Sequence, residues 1–299
     1  FVNGPNPKRM ASQSVLAVQY KDSRFTATGS LLGTYITDKI EQGEKPADKK
    51  RLSPAVSLSW RPFPESTLRV RASYKDIFRV PTFTDLYYLR MGNTNLKPEE
   101  TSQYNVGVTW SASCGDWLRH FSISADGYYN TVKDKIVALP TMYIWRMMNL
   151  GKVDIKGADL NLSAQLPLPL KMELLLASTY SYQYAVDITD PEAKNYKDQI
   201  PYTPRHSGTV SVSLENPWVN VSYILTAVGD RYALPQNIDR NRIDSYMEQS
   251  ISLNKDFRFR HFGLRLQGEL LNLANVNYDV IQYYPMPGRS WRLSVCLSY

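Results

Sequence analysis

A chain of 299 residues with 43% apolar and 21% charged side chains has enough apolar surface to fold, so a disordered tail is excluded. No apolar run approaches the roughly 18 to 20 residues that a membrane-spanning helix needs, which removes helical membrane proteins. The formal charge of +7 is scattered apart from the run Lys49, Lys50 and Arg51, and no nucleic-acid motif accompanies it.

In chain order the dominant signal is alternation. Strands are predicted over 12–21, 24–37, 51–61, 67–78, 100–111, 117–132, 147–166, 170–187, 205–214, 218–231, 243–255, 259–275 and 289–299. In the fourth, Leu68, Val70, Ala72 and Tyr74 oppose Arg69, Arg71, Ser73 and Lys75. In the last, Trp291, Leu293, Val295, Leu297 and Tyr299 oppose Ser290, Arg292, Ser294, Cys296 and Ser298. Most segments exceed the 5 or 6 residues usual in soluble sheets and reach the span of a tilted strand crossing a bilayer. Trp60, Trp110, Trp117, Trp218, Tyr223, Trp291 and Tyr299 fall near segment ends, as in interfacial girdles.

Connections alternate in length. Short ones fall at 22–23, 62–66, 111–116, 167–169, 215–217 and 256–258, and long ones at 38–50, 79–99, 133–146, 188–204, 232–242 and 276–288. Short periplasmic turns and long extracellular loops give this pattern in an outer-membrane barrel. The predicted class is therefore all-β: an antiparallel transmembrane β-barrel in outer-membrane lipid. Thirteen strands is an odd number, and an open edge in lipid leaves backbone groups unpaired, so further strands are expected upstream of Phe1.

Residues 78–101 carry Phe-Arg-Val-Pro-Thr-Phe-Thr-Asp-Leu-Tyr-Tyr and then Gly-Asn-Thr-Asn-Leu-Lys-Pro-Glu-Glu-Thr. This closely resembles the barrel motif of TonB-dependent receptors, carried here by Arg79, Pro81, Leu86, Tyr87, Gly92, Asn93, Asn95, Leu96, Lys97, Pro98 and Glu99. Pro287, Gly288 and Arg289 resemble the family's last hairpin, and Tyr299 stands where outer-membrane proteins carry a terminal aromatic. The motif residues have a structural rationale: Pro81 and Pro98 stop strand pairing at both ends of the loop, and Gly92-Asn93 allows a reversal within it. The resemblance implies about the last 13 strands of a roughly 22-stranded barrel, with the N-terminal plug and early strands absent from 1–299. It also implies import of a scarce nutrient, a ferric siderophore, cobalamin or similar small-molecule metal complex, energised by TonB through the missing N-terminal region.

Catalytic constellations do not emerge, and the reading is of a non-enzyme without cofactor or metal ligands. Cys114 and Cys296 lack zinc spacing, His120, His206 and His261 are isolated, and Asp187, Asp190, Glu192 and Asp198 do not match a calcium loop. Substrate-contact candidates are Tyr87, Tyr88, Arg90 and Met91 in one loop and Tyr143, Trp145, Arg146 and Met147 in the next. Aromatics with Arg suit a large, partly flat, anionic ligand. Haem receptors of the family this chain resembles typically carry a His between the two motif blocks, and residues 82–92 contain none, which lowers haem. The alternatives are a passive porin-like barrel, which would conduct ions, and a soluble all-β binding module.

Overall fold

A computed structural model of the chain describes residues 6–41, 47–140 and 144–298. Thirteen strands form one sheet in which neighbours in sequence are neighbours in space. These are β1 (Lys8–Lys21), β2 (Phe25–Lys39), β3 (Lys49–Trp60), β4 (Arg69–Arg79), β5 (Glu99–Cys114), β6 (Leu118–Pro140), β7 (Trp145–Leu168), β8 (Met172–Asp187), β9 (His206–Glu215) and β10 (Asn220–Val228), followed after a loop by β13 (Tyr246–Arg258), β14 (Gly263–Leu271) and β17 (Ser290–Ser298). Two small hairpins sit in the long loops: β11 (Arg231–Tyr232) with β12 (Arg242–Ile243), and β15 (Asp279–Ile281) with β16 (Tyr284–Pro285). Every pairing is antiparallel, and among the described residues β1 and β17 are the two free edges.

Period-two alternation gives the sheet two unlike faces. On β17, Trp291, Leu293, Val295 and Leu297 are 79%, 67%, 60% and 70% exposed, a continuous apolar row of the kind that marks a membrane or partner surface. The opposite face carries the ion pairs: Arg71 with Asp126 at 2.9 Å, Arg265 with Asp256 at 2.6 Å, and Arg292 with Glu269. Burial is therefore inverted, with polar groups satisfying one another inside and apolar side chains turned out. Lipid is the solvent that fits the outer face.

What core exists lies on the inner face beneath the long loops. Val132, Val153, Ile155 and Ala185 enclose Ile200 from loop 188–204. A second cluster joins Leu86 and Leu96 of loop 79–99 to Ile136 of β6. The loops fold inward over the sheet instead of standing free.

Three expectations need correction. The predicted loop 133–146 is mostly strand: β6 and β7 run 23 and 24 residues and stay paired out to Pro140↔Trp145. Residues 259–275 are not one strand, because β13 runs on to Arg258, the turn is built around stacked Phe259 and Phe262, and β14 ends at Leu271. The 111–116 connection is shorter than expected, since β5 continues to Cys114. Tyr299 and Tyr143 lie outside the described residues.

One wall joint is incomplete. β3 pairs β4 only from Ala55↔Lys75 to Trp60↔Val70, although both strands continue beyond it. Arg51 spans the fork, reaching Asp76 and Glu100 at 3.1 Å each.

Candidate functional site: a platform of linked loops

At the ends of β4 and β5 the motif loop is built by its own polar side chains. Thr82 Oγ1 accepts from the Asp85 amide at 3.1 Å while the Asp85 carboxylate accepts from the Thr82 amide at 2.9 Å, a capping box that starts the short helix α1 (Phe83–Tyr87). Arg79 lies 3.5 Å from both Asp85 and Glu99, tying the helix start to the strand entrance. Glu99 also accepts from the Ile136 amide at 3.0 Å. Asn93 closes an Asx turn by accepting from the Asn95 amide at 3.0 Å. Gly92 is packed so closely that a Cβ there would stand 2.6 Å from the Leu86 carbonyl oxygen. From the other side Arg9, held bidentately by Asp38 at 2.7 and 2.8 Å, donates to the Pro81 carbonyl at 2.8 Å and stacks over Phe83.

β7 receives this loop along its edge. The Met147 amide donates to the Met91 carbonyl at 2.9 Å, and Asn93 Nδ2 returns to the Met147 carbonyl at 3.1 Å. Asn149 accepts from the Lys97 amide at 2.9 Å and donates to the Lys97 and Asp134 carbonyls at 3.1 and 2.6 Å. Two of these bonds reach Lys97 in the loop and the third reaches Asp134 of β6, so Asn149→Ala is expected to remove about 1 to 3 kcal/mol of loop docking. Faster hydrogen exchange in 82–97 with unchanged exchange in the β4–β5 ladder is the check.

The linkage continues around the rim. Trp145 meets Tyr202 with ring centroids 5.8 Å apart. The Tyr202 amide donates to the Tyr232 carbonyl at 2.7 Å, while Asn237 exchanges hydrogen bonds with Gln199 at 2.6 and 3.0 Å and donates from its amide to Asp198 at 3.0 Å. Arg231, only 3% exposed, donates to the carbonyls of Asp244, Asp279 and Val280 and lies 5.3 Å from the Tyr246 ring, which stacks on Tyr278 at 4.1 Å. Among the described residues no carboxylate pairs with Arg231. In the last loop Asn272 Nδ2 donates to the Val276 and Pro287 carbonyls at 2.8 and 3.2 Å, and Arg289 donates to the Leu273 carbonyl at 3.0 Å. A Cβ at Gly288 would stand 2.8 Å from Asn275 Oδ1.

The contact candidates divide by position. Tyr87 is half-buried beside Leu86 and Ile136, and burial, aided by the Asp38 charge and opposed by Arg9, pushes its phenol above the ordinary value. It stays protonated and can donate. Tyr88 and Leu89 are 50% and 79% exposed, and Arg90, exposed, sits at φ 66°. Met91 serves through its backbone. Trp145 and Met147 share one face of β7, whereas alternation puts Arg146 on the other. Tyr202, Arg231, Tyr246 and Tyr278 complete the platform but were not singled out from sequence. Burial also raises the Tyr202 phenol, with the Gln282 backbone and Arg231 pulling against it. Tyr283 and Tyr284, 79% and 65% exposed, stand at the tip of the β15–β16 hairpin. Asp187 at the end of β8 and Asp190 in loop 188–204 build turns: Asp187 accepts from Thr189 and Asn195, and Asp190 from the Glu192 amide. The surface presented is thus aromatic with scattered cations, suited to a large amphipathic ligand.

An open antiparallel wall with an inverted face pattern, short turns at one end and a loop platform at the other defines an outer-membrane receptor barrel. The chain belongs to the family described as "TonB dependent receptor-like, beta-barrel", whose model matches residues 13–273. It is similar to the "Vitamin B12 transporter BtuB" of Photobacterium profundum, 27% identical over 233 residues, covering 76% of this chain and 34% of the relative. The corresponding transporter of Vibrio vulnificus is 24% identical, with 73% and 33% covered. The chain therefore spans about a third of the length of the curated relatives it matches. Among solved structures, "Copper transporter OprC" aligns with TM-score 0.75 at 15% identity, covering 98% of this chain and 48% of that one. BauA, the ferric preacinetobactin receptor of Acinetobacter baumannii, aligns with TM-score 0.73 at 14% identity, with 98% and 43% covered. These structural likenesses establish the fold. The protein is an outer-membrane, all-β receptor barrel, and its relatives are transporters and receptors.

Proposed function

We propose that the complete protein is a TonB-dependent importer of cobalamin, and that 1–299 forms the later strands of its barrel, completed upstream by further strands and a plug. Similarity to two curated vitamin B12 transporters across three-quarters of this chain carries the choice of substrate. The loop platform supports it: exposed Tyr88, Arg90, Tyr283 and Tyr284 offer ring faces and a guanidinium to a corrin with amide and phosphate edges. Tyr87 and Met147, packed against the Leu86, Leu96 and Ile136 cluster, with Met91 and Trp145 in the same linked loops, would support them. Energy transfer would need TonB to engage the region upstream.

The test uses the full-length receptor in outer membranes. Cyanocobalamin binding by tryptophan fluorescence is expected to be tighter than that of ferric siderophores, and Tyr88→Ala with Arg90→Ala should weaken it about tenfold or more. Uptake should stop when the inner membrane is de-energised. Binding of a ferric siderophore but not of cobalamin would replace the substrate class. Steady ion conductance without ligand binding would replace the importer by a passive pore.

A further inference from the structure

On the lipid-facing side two adjacent cross-strand rows have contrasting bulk. One row runs Val56, Tyr74, Tyr104, Tyr129 across β3 to β6, and the next runs Leu58, Ala72, Val106, Gly127. The first is a wall of rings, Tyr74 to Tyr104 at 5.0 Å and Tyr104 to Tyr129 at 6.3 Å. The second drops at Ala72 and Gly127, and pairing continues it to Ala158 on β7. Together they leave a trough of about 570 Å³ whose lining is almost wholly apolar.

The upper end of the trough is basic. On the same face the register sets Tyr129 opposite Lys156, Thr131 opposite Asp154 and Lys133 opposite Lys152. All three lysines are exposed, and none makes an ion pair among the described residues. Lys156 Nζ lies 5.6 Å from the centre of the Tyr129 ring. The one acid in this group, Asp154, is occupied by the Tyr129 hydroxyl at 3.2 Å and Thr131 Oγ1 at 3.3 Å. An apolar slot of about 570 Å³, headed by three lysines that make no ion pair among the described residues, has the chemistry of an acidic lipid: chain in the slot, phosphate among the ammonium groups.

We infer that the outward face of β4–β7 holds one membrane lipid, with an acyl chain in the trough beneath Tyr74, Tyr104 and Tyr129 and its phosphate bound by Lys133, Lys152 and Lys156. The site is independent of the cargo, since it lies on the face opposite the loop platform's inner cores.

Native mass spectrometry of the full-length receptor, delipidated and returned to nanodiscs mixing phosphatidylglycerol with a glucosyl-diacylglycerol, tests the site. Wild type is expected to retain phosphatidylglycerol over the uncharged lipid by on the order of tenfold or more, and the Lys133→Gln, Lys152→Gln, Lys156→Gln triple variant should lose that preference. Gly127→Leu should lower retention of both lipids, because its side chain enters the trough: a Cβ there has no neighbour closer than 3.9 Å. Heat-modifiable mobility on gels reports whether each variant assembles, and the lysine variant alone decides if Gly127→Leu does not. Equal retention of the two lipids by wild type, or an unchanged preference in the triple variant, overturns the inference. So does complete displacement of the lipid by inorganic phosphate, which would leave the trough with no part in binding.

Discussion

Replacing Arg231 by Met is expected to release the last two extracellular loops while leaving the barrel wall folded. The guanidinium serves the carbonyls of Asp244, Asp279 and Val280 from a site only 3% exposed. Met keeps the stem's bulk but donates nothing, so three carbonyls lose a charged donor and those that stay buried lose it without water in exchange. Hydrogen bonds to a charged group contribute about 1.5 to 3 kcal/mol each, and an unsatisfied buried acceptor costs a similar amount. A net loss of about 3 kcal/mol corresponds to roughly 100-fold faster exchange of the amides that open with the loops. The amides of Ala233, Asn241 and Met286 are the ones to follow, because each donates to a carbonyl within the loop pair. Arg231→Lys should recover only part of the effect, since an ammonium cannot serve diverging carbonyls from a planar fork. Exchange unchanged from wild type would mean that the Tyr246–Tyr278 stack holds the loops without the cation.

Gly92→Ala is expected to act as strongly at the opposite end of the platform, and its cause is a steric clash. The new methyl would fall 2.6 Å from the Leu86 oxygen and 2.7 Å from the Tyr87 nitrogen, both of which are main-chain atoms that cannot swing aside. Relief requires moving the end of α1 away from the 92–95 turn, which breaks the Gly92-to-Tyr88 and Asn93-to-Asp85 backbone bonds of 2.8 and 2.9 Å. Overpacking of this kind costs about 1 to 3 kcal/mol. The signature is rapid cleavage by protease between 83 and 96, with reduced ligand affinity and normal assembly in the membrane. Protease resistance equal to wild type would show that the segment has a second, equally good packing.

The wall was legible because a lipid-facing strand must alternate without interruption, and Ser290 to Tyr299 does so at every position. Boundaries were less so. Pro140 and the Asp-containing stretch Lys133-Asp134-Lys135 look like loop chemistry, yet both lie within β6, with Asp134 at φ 51°. Beyond the bilayer a hairpin no longer has to alternate, so the pattern fades while the pairing persists. The inner architecture was legible only in part. Gly92 and Asn93 were readable as a reversal, because their backbone tolerance is local. Arg231 was not, since its three acceptors lie 13 to 49 residues away and nothing near it marks it as different from any other arginine. The same holds for Arg146, which reads as a partner of Trp145 and Met147 until strand pairing turns it to the other face.

The bonds that fasten the loops share a trait with evolutionary weight. Arg9 holds the Pro81 carbonyl, Asn93 that of Met147, Asn149 that of Lys97, Asn237 that of Gln199, and Arg231 that of Asp279. In each case one side chain is prescribed and the other partner is main chain, which every residue supplies. Half of each of these five fastenings is therefore blind to mutation. A few donors can stay fixed while residues such as Leu89, Arg90 and Tyr283 drift through new identities on a support that does not register the change. Such a surface can acquire a new cargo, or escape a phage or toxin that grips it, by single substitutions that leave the scaffold's stability untouched.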